Sequence, residues 1–430
     1  MATNVSVTQL DGLYKEVYGD APPILAPELG KLYKKIPFAE DARVGKTYNQ
    51  PVVLRLEQGY TYGGSDGDAF AIGTPVAMLM DNASLEGSEG ILATRMSYRA
   101  ASKAASSKGA FKKAMNVSLE SHQRSHVMRR ELELLYGRSS TGLCTTTATT
   151  NVDATHETLT ISAATWAVGI WAGMEGATFN AFNTGTGALI SSGADAVFTL
   201  DSVDPANKKI TVSGTATGIT ALGAVETNYL DFASARATMT TTHKCFEGID
   251  YIVTLAAGNT LWGISTDYTL WRGNSYSAGS ARLTGGKLVK AANLAVGKAG
   301  LDEALDCYVS PTTWADLSDS LSAKRQLDSS YSTSEGKDGV EKIIHHGANG
   351  AINVIIHPIV KEGEAWLLPM KHLKRVGSTD ITMNNPARGD SIFFELPSNA
   401  GFEYRSYSDF ALFVDAPGKL IKVTDITNAS

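Results

Sequence analysis

The hydrophobic rhythm of the chain changes several times, and each change marks a different kind of element. No long period holds over 1–45. Pro22, Pro23, Pro27 and Pro37 punctuate two short helical hints, Leu10–Tyr18 and Pro27–Lys34. This is the pattern of an arm that lies along another surface. Residues 46–92 read as a long two-stranded excursion. Val52–Leu56 favours β structure, and Gly59, Gly63, Gly64 and Gly67 mark a flexible tip that carries Asp66 and Asp68. Thr74–Met80 is the expected return strand and Asp81-Asn82 the expected turn. A hairpin of this length cannot bury both faces on itself, so it calls for a partner surface in the same subunit or in a neighbour.

The clearest helical signal lies in 93–137. Met115, Leu119, His122 and His126 follow helical spacing, and Met128, Leu132, Leu135 and Tyr136 continue it. Gly109 is a point where the start could break, and Gly137 is a natural stop. After the run Thr145–Thr150 the helical signal disappears. From 153 to 235 short strands alternate with Gly and Asn, at Thr158–Ile161, Ala177–Phe182, Ala196–Leu200 and Lys209–Val212. This block is expected to be a small all-β barrel or sandwich inserted into a larger fold.

From 245 the pattern is mixed α/β. Strands are expected at Ile249–Leu255, Leu261–Ile264 and Cys307–Val309, with a helix over Gly286–Leu301. Ser310-Pro311 places an N-cap and a first-turn proline before a second helix. Ala351–His357 and Glu364–Leu368 are expected to pair as a hairpin around Lys361–Gly363. Further strands are expected at Ser391–Leu396, Gly401–Ser406 and Phe410–Val414, all beyond the polar loop Lys324–Lys337.

With 430 residues the chain can hold two or three domains and a sizeable core. Its net charge of −6 excludes a generally basic nucleic-acid binder. The charge is unevenly spread. Segment 93–138 has ten basic against three acidic residues, or +7, while 153–235 has two against eight, or −6. Cys144, Cys245 and Cys307 are odd in number and form no CxxC pair, so neither a disulfide framework nor a structural zinc site is expected. The first twenty residues lack the basic start and apolar run of a signal peptide, and production in a cytoplasm without a membrane partner is expected.

The order is an arm, a long hairpin, a long helix, a β block and an α/β half. It resembles the tailed-bacteriophage major capsid protein family. Tyr308–Trp314, Ile352–Pro358 with Lys361–Leu368, and Phe246–Asp250 with Leu270–Gly273 resemble phrases of that family. The resemblance implies an α+β, Hong Kong 97-type capsid fold. Its parts would be an N-terminal arm at 1–45, an E-loop hairpin at 46–92, and a spine helix with peripheral domain at 93–152. A β insertion would follow at 153–235, an axial domain at 236–375 and returning peripheral strands at 376–430. It further implies hexamers and pentamers of an icosahedral head around double-stranded DNA. The partners would be a portal, a decoration protein and, with no charged N-terminal helical segment present, a separate scaffolding protein. Because 47–94 contains no lysine, the lysine-to-asparagine crosslink of some members is not expected from this loop.

Six residues are the candidate intersubunit contacts: Arg55, Glu57, Asp66 and Asp68 on the hairpin, and Arg129 and Arg130 on the helix, to which the tip acids could pair. Exposed pairs of this kind contribute about 0–1 kcal/mol each and set register more than affinity. No enzymatic constellation is expected, and no cofactor or metal. His122 and His126 have no third ligand placed by any motif. Gly63–Gly67 matches GxSxG only in letters, because a hairpin tip is not the strand-to-helix turn that a nucleophile needs. The basic helix could face DNA or a neighbour's acids. Two alternatives remain: an encapsulin-type compartment shell, and a β-rich tail or adhesion protein.

Overall fold

The computed structural model describes residues 30–39, 47–97, 108–322, 343–347, 350–385, 392–396 and 400–429, without the side chains of 108–116 and 321–322. The hint at Leu10–Tyr18 and the loop Lys324–Lys337 lie outside them. Two sheets, a barrel and one long helix make up the body. The long helix spans Lys108–Tyr136. It starts later than the periodicity suggested, because Ser88–Ser97 is a strand whose exposure alternates along its length. Glu89, Ile91, Ala93 and Arg95 face outward in period two, the signature of a half-buried strand.

That strand pairs antiparallel along Gly401–Val414, a single 14-residue strand where two shorter ones were expected. On its other side Gly401–Val414 pairs with Leu373–Thr382 and Phe393–Glu395. The second sheet has six strands, in the order Asn274–Ala281, Ile421–Ile426, Ala365–Leu368, Leu305–Val309, Gly350–Ile356, Ile343–Gly347. The central strand Leu305–Val309 is almost wholly buried and, Asp306 apart, apolar, as a strand covered on both faces must be. It runs parallel to Gly350–Ile356 and antiparallel to Ala365–Leu368. The expected hairpin between the latter two strands therefore does not form. The turn between them dives inward, burying Lys361, and returns the chain on the far side of Leu305–Val309.

Two more elements differ from expectation. Ile249–Thr254 is a helix, not a strand. Ile249, Ile252 and Val253 are its buried apolar residues, and their i, i+3, i+4 spacing fits a helix face as well as their branching fits a sheet. Leu261–Ile264 is a tight hairpin of two short strands, with Trp262 and Gly263 both at positive φ in the turn.

The β block is a closed six-stranded barrel, ordered Cys144–Asn151, His156–Ile161, Lys209–Ser213, Val197–Asp204, Thr178–Asn183, Asn228–Phe232. It begins at Cys144 and not at 153, because the threonine run is itself a β-branched strand that closes the barrel. Leu159, Phe179, Phe198, Leu200, Ile210, Val212 and Leu230 fill its interior. It is not purely β, for the short helix Ala216–Gly223 is capped by Thr215, whose side chain accepts from the Gly218 amide.

The arm is pinned where it can be seen. The helix Lys31–Lys35 directs its first amides at Glu131 of the long helix, which accepts from Leu32 N at 2.7 Å and Tyr33 N at 2.6 Å. His357 Nε2 completes the carboxylate's shell at 2.6 Å, and both side chains are fully buried. A carboxylate without water is tolerable only with such partners. Glu131→Ala is expected to cost about 3–5 kcal/mol, the usual effect of breaking a buried charged pair. A fall of that size in the urea denaturation midpoint, at unchanged slope, would confirm it; a loss under 1 kcal/mol would refute it.

Candidate functional site

The base of the hairpin is folded onto the body and its far end is not. Tyr48–Arg55 pairs with Leu79–Leu85 in antiparallel register, with an irregularity between Val53 and Arg55. Asp81-Asn82 is therefore inside the return strand and not a turn. Leu54, Ala83 and Leu85 are buried at the base, Tyr48 packs edge-on against Phe413, and Ser84 N donates to Trp262 O at 2.8 Å. Beyond Arg55 one isolated bridge, Gln58 with Val76, continues the pairing, and Thr61 Oγ1 accepts from Gly73 N at 2.8 Å. About eleven residues on each side then run to the tip, a reach of about 35 Å at strand geometry.

This projecting part is apolar. Of the fifteen large apolar side chains exposed among the described residues, nine lie between Val53 and Met80. Leu56 is 72% exposed, Tyr60 83%, Tyr62 86% and Ile72 85%, with Phe70, Val76, Met78 and Met80 beside them. Burying a side chain of this class contributes about 1.5–3 kcal/mol. Exposed charged pairs contribute about 0–1 kcal/mol each, so apolar burial outweighs them as the source of affinity. A contiguous apolar surface of this kind marks an interaction site.

The candidate contacts divide accordingly. Asp66 and Asp68 lie exposed at the tip, without an ion-pair partner among the described residues, and so does Glu57. Arg55 ends the first strand, so Glu57 sits beyond it. Arg129 is part-exposed, lies 3.1 Å over the Phe232 ring and reaches Glu133 at 3.2 Å. Arg130 is the correction. It is 3% exposed and saturated within its own chain, by Glu133 at 2.6 Å, Ser408 Oγ at 2.8 Å and Ser88 O at 2.9 Å. A neighbour's acid could not reach it. Gly90 leaves the space that its guanidinium occupies, since a Cβ there would lie 2.0 Å from it.

The same face of the helix carries His122 and His126. His122 shares hydrogen bonds with Thr94 Oγ1 at 2.7 Å and Ser406 Oγ at 2.8 Å, and His126 with Ser406 and with Ser408 at 2.8 Å. Together with Arg130 they form a polar ladder joining the helix to the long strand. The two histidines are thus part of a helix-to-sheet fastening. The other described basic side chains of the segment are also paired: Arg95 with Glu403 at 2.7 Å, Arg124 with Glu120 at 2.6 Å, and Arg138 with Glu247. The side chains of Arg99, Lys103, Lys108, Lys112 and Lys113, half of the segment's basic residues, lie outside those described.

A further cluster had no signature in the sequence. Lys422 Nζ lies 2.5 Å from Asp250 and 2.7 Å from Glu364, all three almost buried. Fully buried Lys361 places its ammonium 3.0 Å from Gly142 O and 4.2 Å from the centre of the Tyr136 ring. Burial lowers the Lys361 pKa, opposed by the nearby Glu364 and Asp250 carboxylates. The cluster joins helix, barrel and six-stranded sheet.

Burial, with help from the Arg130 and His122 charges, lowers the His126 pKa from its ordinary 6.5 to about 4. The folded state thus prefers neutral imidazole. That contribution is full above pH 6.5 and is lost as pH falls toward 4. Stability is expected to drop by about 2–3 kcal/mol across this window, at 1.36 kcal/mol per pKa unit. Denaturation midpoints at pH 7 and 4.5 should differ less for His126→Gln than for the parent; equal differences would remove His126 from the account.

No protein-family model matches the chain, and no curated protein matches it. Solved structures do. The capsid asymmetric unit of Cyanophage A-1(L) matches at 12% identity and TM-score 0.53, over 99% of this chain and 100% of that one. The capsid of a native GTA particle matches at 8% identity and TM-score 0.49, over 99% and 100%. The holo-SrpI encapsulin complex from Synechococcus elongatus matches at 8% identity and TM-score 0.43, over 100% and 99%. The first match spans both chains end to end, through the hairpin, helix, barrel and sheets described above. The chain therefore has the fold of a phage capsid protein, the α+β Hong Kong 97-type architecture that the order of its elements resembles.

Proposed function

We propose that this chain is the major capsid protein of a tailed phage, a shell-building subunit and not an enzyme. One observation carries the reading: a hairpin held firmly at its base projects tyrosines, Phe70, Ile72 and methionines into solvent, exposed among the described residues. A lone soluble subunit gains nothing from that arrangement. A closed shell of identical copies covers every such hairpin, because each copy meets the same complementary surface. Modest contacts then add through ring closure and effective concentration.

In this reading the copies form hexamers and pentamers of an icosahedral head in the virion, built in the host bacterial cytoplasm. A separate scaffolding protein guides curvature, a portal occupies one vertex, and the barrel is available to a decoration protein. Contact with packaged double-stranded DNA is non-specific. The described arginines of the long helix, Arg124, Arg129 and Arg130, already hold carboxylates of their own chain, so in this reading they add little to a contact that is salt-sensitive.

Co-expression with its scaffold should give closed particles by electron microscopy. Replacing 57–77 with a short Gly-Ser turn should leave the subunit folded, with its denaturation midpoint within about 0.5 kcal/mol of the parent as expected for a surface change, yet abolish closed particles. Particles of normal yield from the shortened chain would overturn the role given to the hairpin, and icosahedral particles loaded with a cargo enzyme would favour the encapsulin reading.

A further inference from the structure

The buried cluster around Lys422 brings an amine and two carboxyl groups into direct contact. Lys422 stands on the strand Ile421–Ile426, opposite Trp366 of Ala365–Leu368. Its Nζ lies 2.5 Å from Asp250 Oδ1 and 2.7 Å from Glu364 Oε1. Asp250 is the second residue of the helix Ile249–Thr254, and Glu364 directly precedes the strand Ala365–Leu368. The Lys422, Asp250 and Glu364 side chains are 8%, 2% and 13% exposed. The Trp366 ring closes the site, its centre 4.9 Å from Nζ.

The surroundings suit the formation of an amide. Asp250 Oδ2 accepts from Ser139 Oγ, which is itself buried, while Oδ1 faces the amine. Glu364 Oε2 is buried without a hydrogen-bond partner among the described residues, so this carboxyl group has an oxygen free to carry a proton. An ion pair needs only one carboxylate, and a second one with an orphaned buried oxygen is costly to keep. Burial opposes charge on both Lys422 and Asp250. Their mutual attraction, with Glu364 beside Lys422, overrides it, and Lys422 is held above its ordinary pKa and Asp250 below. The ion pair is thus the state from which any exchange of bonds begins.

We propose that Lys422 and Asp250 join in an intrachain isopeptide bond, with Glu364 as the proton carrier. From the ion pair, Nζ passes one proton to Oδ1 and becomes a neutral amine. Nζ then attacks Cγ of Asp250 and the Nζ–Cγ bond forms. Negative charge moves to Oδ2, where the Ser139 hydroxyl and the charge of nearby Lys361 favour it. Glu364 takes a second proton from the nitrogen and delivers it to Oδ1. The Cγ–Oδ1 bond breaks and Oδ1 leaves as water with both protons. The amide keeps one hydrogen on nitrogen, Glu364 returns to its carboxylate, and nothing is oxidised or reduced. Groups held in contact react at a very high effective concentration, and a buried site that excludes water disfavours the reverse hydrolysis.

The bond ties the helix that follows the barrel to a strand of the six-stranded sheet, across 172 positions of sequence. It does not rest on the capsid reading, since a single folded chain contains every group involved. The test is the intact mass of the purified full chain. The parent should be lighter than its sequence by one water. A protease digest should yield a branched peptide joining the Lys422 and Asp250 segments, identified by tandem mass spectrometry. Glu364→Gln keeps the shape and leaves both partners in place, and should slow formation of the bond about a hundredfold or more. Lys422→Met should abolish it.

A folded parent of full mass, with Lys422 recovered only in an unbranched peptide after prolonged incubation, would overturn the bond. So would a missing water without a branched peptide, which would place the loss within one segment, as in cyclisation of an aspartate. A branch to Glu364 in place of Asp250 would overturn the roles given to the two carboxyl groups. Formation at the parent rate in Glu364→Gln would remove Glu364 from the mechanism. None of these outcomes involves particle assembly, so they leave the capsid reading untouched.

Discussion

The structure depends on a row of polar groups on one helix that cannot reach water. His122, His126, Arg130 and Glu131 are all buried, and each is satisfied by a residue far away in sequence. Ser406 and Ser408 come from the long strand Gly401–Val414, His357 from the turn after a central strand, and the Leu32 and Tyr33 amides from the arm. An unsatisfied buried group is costly, so these elements must arrive together or the helix is destabilised. The helix thus acts as a clamp. It fixes the arm on one side and the long sheet on another, and its end meets the barrel through Tyr136, Lys361 and Gly142.

That clamp gives the hairpin its meaning. An apolar, glycine-tipped loop attached to a loose body would collapse onto it, because burying even a few such side chains is worth several kcal/mol. Here the body near the hairpin is already closed. Trp262, Trp271 and Phe413 pack on one another beneath the hairpin's base, leaving no apolar seat for its far end. The side chains between Leu56 and Met80 stay outside because the interior is full. The packing that stabilises the body is therefore also what leaves the hairpin's apolar side chains in solvent.

Much of this was legible in the sequence and some was not, for identifiable reasons. The excursion was readable because glycines and acids interrupt two β-favouring runs, and the β block because its strands are short and evenly punctuated. The helix C-terminal half was readable from Met128, Leu132, Leu135 and Tyr136. The strand Ser88–Ser97 was missed because its alternation merges into a helical period a few residues later. Ile249–Thr254 was missed because β-branched residues can also fall on one helical face. The pairing of Ala365–Leu368 was missed because strand order is a long-range property: Leu305–Val309 inserts between two segments that neighbour each other in sequence. Arg130 looked like a surface charge because nothing local shows that Ser88, Gly90 and Ser408 will enclose it.

The clustering of charge in the chain has a corresponding explanation. A segment at +7 invites a nucleic-acid reading, yet Glu403 and Glu247, both outside that segment, neutralise Arg95 and Arg138. Local net charge counts residues, whereas a surface potential is set by what the fold places beside them. The hairpin shows the opposite case. Its three acids are few, but no cation of the same chain answers them among the described residues, so they retain their full weight toward a partner. Interaction specificity follows from charges that a fold leaves unpaired, and the largest charges in the sequence need not be among them.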